Sequence, residues 1–353
     1  MQTAQTNLTD FLASALQEVP TAEALSTLLL SIAHSAKTIA ALIRKGSLMD
    51  FAGKLASQNI QGETQITLDV LSNAIFMADL KQSGVVAGLA SEEMDAPVDI
   101  TEGGPFLVVF DPLDGSSNVA VNVSVGSIFS VLKAPTTPLT DTDYLQAGNQ
   151  QVAAGYALYG YCTMLVITLG NGTYGFTLDP DRAEFYLTHP RMQVPEDTAE
   201  FAINASNERF WDAATSRYVE GCLAGASGTR AKDFNMRWVA SMVADVHRIL
   251  IRGGVYVYPQ DSKKPARAGR LRLMYEVNPM SMLVEQASGK SSTGRQRVLD
   301  VQPDHIHQRV PVMLGSRHEV ELIERCYQDV DKGLVKNAHS PLFSDRSLFH
   351  KKQ

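Results

Sequence analysis

The chain has 353 residues, enough for one large or two medium domains with an ample core. Its 44% apolar and 20% charged residues are those of an ordinary globular protein, not of a low-complexity or fibrous chain. Thirty-one Lys and Arg against 38 Asp and Glu give a net charge of −7. That weighs against a nucleic-acid partner but leaves room for a small anionic ligand drawn to a local cationic or metal-loaded site.

In chain order, MQTAQTNLTDFL lacks a basic region followed by an apolar stretch, so no secretory signal is expected and a cytoplasmic location is. Residues 7–45 read as helical, with Leu8, Phe11, Leu12, Leu25, Leu28, Leu29 and Ile32 at helical spacing. Pro20-Thr21 breaks the run, with Thr21 a candidate N-cap. The apolar stretch ALSTLLLSIA is too short and interrupted to predict a membrane span. SLMDFAGKLASQNIQGET reads as a polar mobile loop, and 68–82 as an amphipathic helix.

Short strands follow at 85–91, 105–111 and 123–133, the last with an expected interruption at Gly126. Asn171-Gly172 is the strongest hairpin signal. The Pro-rich stretch 190–198 suggests a boundary, giving domains at 1–195 and 196–335 and a polar tail at 336–353. In the second half, FAINAS, VYVYP and RLRLMYEV read as strands. Residues 236–254 and NPMSMLVEQASG read as helices that stop at glycine. The helix over 236–254 would put Trp238, Met242 and Val246 one turn apart, a packing stripe. Cys162, Cys222 and Cys326 form no disulfide or zinc pattern and read as buried thiols. His247, His305 and His307 read as structural hydrogen-bonding groups.

The chemistry collects at element ends. Glu63, Asp69, Glu92, Glu93, Asp111, Asp114 and Glu276 all stand next to a strand or helix terminus. Clustered carboxylates repel one another unless protonated or bridged by cations, and oxygen donors favour Mg²⁺ or Mn²⁺. In FDPLDGSSN, Gly115, Ser116 and Ser117 offer backbone N–H groups to a phosphate. Alone, this stretch is more often a turn than a site.

The ordered set GETQITLD, SEEM, FDPLDGSSN, AAGYALYG, SMVADVHR, GRLRLMYEVNPM and VLDVQPDHIHQRVPVMLGS closely resembles class I fructose-1,6-bisphosphatase, across about residues 8–330. That family belongs to a larger group of metal-dependent sugar and inositol phosphatases. The resemblance implies an α/β fold of two subdomains, a layered α-β-α-β-α sandwich. It implies a magnesium-dependent phosphoric monoester hydrolase, with Mn²⁺ an alternative cation.

By that resemblance Asp111, Asp114 and Glu276 hold one cation. Glu92, Asp111 and the Leu113 carbonyl hold a second, and Glu63 with Glu92 a third. Asp69 and Glu93 activate water. Gly115, Ser116 and Ser117, with Arg272 nearby, hold the phosphate that is cleaved. The 47–67 segment closes over the site. The other phosphate is held by Asn207, Tyr258, Arg270 and an Arg237 supplied by a neighbouring subunit, with Met242 among the substrate contacts.

Phe210 and Trp238 stand where the family commonly has tyrosines, and Arg270 where it has lysine. Sedoheptulose 1,7-bisphosphate is therefore a second candidate substrate. An inositol or nucleotide monophosphatase and a non-catalytic sensor or scaffold are the rival readings. Pro105-Phe106 replaces the Lys-Tyr pair of AMP-regulated members, although Ser26 and Lys133 keep some polar character, so AMP inhibition is expected to be weak or absent. A homotetramer is expected, with no nucleic-acid or membrane partner.

Overall fold

A computed structural model describes residues 6–49, 54–58, 64–136, 138–265 and 267–334. Glu63 and the tail beyond residue 334 lie outside the described residues.

Helices α1 (Leu8–Ala15) and α2 (Ala22–Ile43) flank the predicted break. Asn7 caps α1 by accepting from the Asp10 N–H at 2.8 Å, whereas Thr21 sits at the N-cap of α2 without a side-chain bond. With 22 residues, α2 is long and apolar enough by itself to cross a membrane, contrary to the shortness read from ALSTLLLSIA. Its apolar residues, among them Leu25, Leu28, Leu29 and Ile32, lie in the core. Part of the expected loop is instead an antiparallel pair, β1 (Lys54–Gln58) and β2 (Thr64–Ile66). Helix α3 (Thr67–Ser83) follows and ends on Gly84, whose φ of 70° suits only a residue free of Cβ strain.

The first sheet contains β3 (Val86–Ser91), β4 (Val98–Asp99), β5 (Phe106–Asp114), β6 (Val125–Lys133), β7 (Ala153–Tyr159), β8 (Thr163–Thr168), β9 (Thr173–Asp179) and β10 (Glu184–His189). Its order is β10-β9-β8-β7-β6-β5-β3-β4. The β3–β5 pair is parallel and the other neighbours are antiparallel. Strand β6 runs unbroken through Gly126, correcting the expected interruption. A Cβ there would come within 2.4 Å of the Ala157 carbonyl and 2.7 Å of Val243, so the glycine serves close packing. The Asn171-Gly172 hairpin joins β8 to β9 as predicted. A second tight connection at 160–162, hidden in a continuous apolar run, joins β7 to β8. It exposes Cys162, contrary to the buried thiol expected there; Cys222 and Cys326 are buried.

The second half carries α4 (Ala213–Leu223), α5 (Met242–Arg252), α6 (Asn278–Gln286) and α7 (Arg317–Asp331). Its strands are β11 (Glu200–Ala202), β12 (Asn235–Met236), β13 (Val255–Tyr258), β14 (Leu271–Arg272), β15 (Lys290–Ser292), β16 (Arg309–Val310) and β17 (Val312–Gly315). The sheet order is β12-β11-β13-β17-β15, with β14 and β16 paired separately. Helices α4 and α7 went unread in the sequence because their apolar residues are few and their polar faces long. RLRLMYEV is a strand only at Leu271–Arg272, then a π turn over Leu273–Val277.

Helix α5 starts at Met242, so Trp238 lies outside it, although it packs against the same apolar cluster as Met242 and Val246, as expected. Trp238 also stacks on Tyr256 and Tyr258, with ring centroids 5.7 and 5.6 Å away. His247 and His307 are structural as expected, bonded to Tyr156 and Tyr275 at 2.8 and 2.9 Å.

Three apolar clusters fix the layer order. Helices α1–α3 pack one face of the first sheet, where Phe76 stacks on Phe110 at 5.2 Å. Each such buried ring contributes roughly 1.5–3 kcal/mol. Helices α5 and α6 lie between the sheets, with Ile128, Tyr156 and Val166 on one side and Tyr256, Val312 and Leu314 on the other. Helices α4 and α7 cover the far face of the second sheet around Phe201, Val255 and Val257. The result is a helix–sheet–helix–sheet–helix sandwich, the predicted fold class.

Candidate active site

Parallel pairing of β3 and β5 brings their C-terminal ends to one edge. Ser91 is opposite Phe110, so Glu92 and Asp111 continue side by side. Asp111 and Asp114 are three residues apart, a spacing that would put them on opposite faces of a regular strand. The pairing with β6 steps from Asp111↔Ile128 to Asp114↔Gly126, so β5 holds one extra residue there. This bulge turns both carboxylates to the same side. Pro112 sits in it, where no ladder N–H is needed, and its carbonyl accepts from Ser127 Oγ at 2.7 Å.

Glu276 arrives from the π turn that precedes α6, an irregularity often found at functional sites. Its Oε2 accepts from the Arg272 N–H at 2.6 Å. Oxygen atoms of Asp111, Asp114 and Glu276 all lie within 4.8 Å of one another, and the three residues are buried. Burial, followed by the charges of Glu92, Asp114 and Glu276, pushes Asp111 well above the usual carboxylate range. Glu276 is pushed up to about 8, chiefly by burial, with Arg272 opposing. Burial also raises Asp114, against hydrogen bonds from Val243 and Ser241. A compact set of buried carboxylate oxygens that repel one another suits a hard divalent cation.

Arg272 offsets part of this charge. It pairs with Glu92 at 2.6 Å and lies 3.7 Å from Glu276. The Asp111 Oδ1 accepts from the Leu113 N–H at 2.9 Å, which fixes the backbone around the Leu113 carbonyl. Asp69 stands in the first turn of α3, buried, with Oδ2 accepting from the Ile66 N–H at 2.8 Å. Burial, then the charges of Glu93 and Glu92, raise it to about 7. Glu93 is half-buried, its N–H bonded to Ser91 Oγ at 3.2 Å.

The turn after Asp114 begins with Gly115 at φ 74°, where a Cβ would sit 2.8 Å from that of Ser241. Ser116 and Ser117 open a 3₁₀ turn, and Ser117 is exposed. Asn118 ties this turn to the Ala240 carbonyl at 3.4 Å. Ser241 is the N-cap of α5, and its role was not read from the sequence. A serine directly before an amphipathic run was the available signal.

A family profile described as the N-terminal domain of fructose-1,6-bisphosphatase matches residues 6–190, and one for the C-terminal domain matches 194–328. The chain belongs to the fructose-1,6-bisphosphatase family. It is similar to the class 1 fructose-1,6-bisphosphatase of Hydrogenophilus thermoluteolus, 53% identical over 97% of this chain and 96% of that one. That of Methylobacillus flagellatus is 54% identical over 92% and 98%. Among solved structures, the holo form of Leishmania major fructose-1,6-bisphosphatase superimposes with a TM-score of 0.86. It shares 38% identity, covering 93% of this chain and 100% of that one. The apo form gives 0.82 at 36% identity, covering 92% and 100%.

The residues expected to hold the other phosphate lie in the second half of the chain. Asn207, Tyr258 and Arg270 line one small cavity with Ile203, Asn204, Trp211, Pro259 and Asp261. Arg237 is half exposed and lies 3.8 Å from Glu200 of its own chain. Met242, expected among the substrate contacts, is buried at the start of α5 in the interlayer core. Phe210 is flanked by Arg209 and Lys263, at 4.9 and 5.8 Å from its ring.

Proposed function

We propose that the protein hydrolyses the 1-phosphate of fructose 1,6-bisphosphate, giving fructose 6-phosphate and inorganic phosphate. The observation that carries this reading is the convergence of Asp111, Asp114 and Glu276 directly before the Gly115–Ser117 turn. The names of its relatives support the same activity.

The donor set fits Mg²⁺ or Mn²⁺, with Asp111, Asp114 and Glu276 as one ligand group and Glu92, the Leu113 carbonyl and Glu63 completing the sites. When bound, such cations neutralise the phosphate, lower the pKa of water and stabilise the leaving oxygen. Backbone N–H groups of Gly115, Ser116 and Ser117 orient the phosphate. Asp69 and Glu93 take a proton from the attacking water as its oxygen bonds to phosphorus. The bond from phosphorus to the sugar oxygen breaks as that oxygen takes a proton from solvent water and leaves as the alcohol, and the carboxyl returns its own proton to solvent. Asp69, held by the Ile66 N–H beside Glu92 and Glu93, is placed to accept the proton of the attacking water. Asn207, Tyr258, Arg270 and the neighbouring subunit's copy of Arg237 receive the far phosphate, in a homotetramer. The enzyme acts in the cytoplasm, in gluconeogenesis or the Calvin cycle.

Trp238 stacks on Tyr258, and both Trp238 and Phe210 stand where the resemblance places tyrosines, which favours testing sedoheptulose 1,7-bisphosphate as a second substrate. Phosphate release from both sugars with Mg²⁺ or Mn²⁺ tests the reading. Turnover that disappears in Asp114→Asn supports it, and an inert wild-type enzyme retires it.

A further inference from the structure

We infer that Asp261 is a positioning residue that locks the Arg270 guanidinium in the orientation needed to take the second phosphate. This rests on the bisphosphatase reading above and names a residue which that reading does not use.

Asp261 is a buried carboxylate whose two oxygens are both engaged. Its Oδ2 accepts from Arg270 Nε at 3.0 Å and from Arg270 Nη2 at 2.8 Å, while Oδ1 accepts from the Lys263 N–H at 3.1 Å. Arg270 is held from the other end as well, because Arg309 Nη1 donates to its backbone carbonyl. Both Asp261 and Arg270 face the cavity that contains Asn207 and Tyr258. Two N–H groups of the guanidinium are committed to the carboxylate, and its Nη1 edge makes no hydrogen bond among the described residues.

Arginine loses considerable rotamer freedom when it binds a ligand, so an arm fixed in advance binds with a smaller entropic cost. A carboxylate in a phosphate pocket is otherwise a liability, since it repels the ligand. Its presence has a physical reason only if the orientation it enforces outweighs that repulsion. The same segment reaches the acidic cluster, because Arg272, two residues on, pairs with Glu92 and lies near Glu276.

These two effects have opposite signs, and Asp261→Asn separates them. Charge counting alone makes the variant bind the bisphosphate more tightly, because a negative charge is removed. Positioning makes it bind more weakly. The experiment compares KM and kcat for fructose 1,6-bisphosphate and fructose 1-phosphate, and measures fructose 6-phosphate binding by calorimetry, in wild type, Asp261→Asn, Arg270→Met and the double variant. Thermal melting checks that each is folded.

The expected result is a rise of about tenfold in KM for the bisphosphate and in Kd for fructose 6-phosphate, the scale of one lost charge-assisted interaction. KM for fructose 1-phosphate, which lacks the far phosphate, should not follow, and Asp261→Asn should add little to Arg270→Met. Unchanged or tighter binding, equal effects on both sugars, or additive effects overturn the inference. Wild-type enzyme that binds fructose 6-phosphate without turnover contradicts the hydrolase reading while leaving the calorimetric comparison decisive. Wild-type enzyme that does neither overturns both.

Discussion

Asp114 and Ser241 are bound to each other across the interface between the first sheet and the helical layer: Ser241 Oγ donates to Asp114 Oδ2 at 2.9 Å. The same oxygen accepts from the Val243 N–H at 3.0 Å, so a carboxylate of the acidic cluster also caps α5. The site and the layer that supports it are therefore one structure. Ser241→Ala should cost about 0.5–2 kcal/mol of stability as a lost N-cap. It should also weaken cation binding by roughly tenfold, the scale of a lost outer hydrogen bond to a metal ligand. Thermal melting and calorimetry with Mn²⁺ check the two effects. Lost stability with unchanged cation affinity would separate the cap from the site.

Asp69 is held by Ile66 N–H and lies close enough to Glu92 and Glu93 to feel both charges. As a water-activating base it should be needed for turnover more than for binding. Asp69→Asn should lower kcat by about 10²–10⁴-fold with little change in KM. Steady-state kinetics with fructose 1,6-bisphosphate measures this, and a rise in KM at constant kcat would move Asp69 out of the reaction and into substrate binding.

Much of this site was legible in the sequence because its carboxylates stand at element ends, where apolar runs such as PFLVVF give way to acidic residues. The bulge that makes Asp111 and Asp114 face the same way was not legible, since it depends on register with β6. The π turn at Glu276 was hidden for a related reason: RLRLMYEV has a strand-like composition, while its turn packs Met274 and Tyr275 against Leu107 and Val109 of β5, a contact distant in sequence. Trp238 was assigned to a helix because the helical period continues through it, but the chain does not turn helical until Ser241 caps it. Gly126 shows the converse case, a residue with a breaker's composition kept in a strand because a helix presses against it.

Cation-free protein should show an unusual pH dependence of stability. Asp69 is raised to about 7 from 3.8 and Glu276 to about 8 from 4.5, so the folded state holds protons that the unfolded state has released. Where the folded state binds more protons, stability falls as pH rises. His247 acts oppositely: burial pushes it down to about 4 from 6.5, so stability rises with pH until the unfolded histidine has lost its proton. At about 6.5 the unfolded histidine is already half deprotonated, so little of that gain remains above it and the carboxylates dominate. The melting temperature in chelator should therefore fall between pH 6.5 and 8, and Mg²⁺ or Mn²⁺ should restore more stability at 8 than at 6.5. An equal cation effect at both pH values would contradict this.

AMP should inhibit weakly or not at all. Ser26 lines an open groove of about 300 Å³ between α1 and α2, alongside Gln17, Thr27 and the acidic Glu23. Phe106 is fully buried in β5 and presents no hydroxyl. A nucleotide phosphate in that groove would meet a like charge. Kinetics with added AMP should show less than the roughly 5-fold effect at the low end of allosteric coupling. Strong cooperative inhibition would place a cationic nucleotide site elsewhere.

The most direct test of the central claim is to follow fructose 1,6-bisphosphate by phosphorus NMR with enzyme and Mg²⁺. The account predicts that the 1-phosphate phosphorus passes to inorganic phosphate while the 6-phosphate phosphorus stays esterified, as fructose 6-phosphate, the two products growing in together. Asp114→Asn and Glu276→Gln should each leave both substrate signals intact. Loss of the 6-phosphate first, or turnover that survives in both variants, would contradict it.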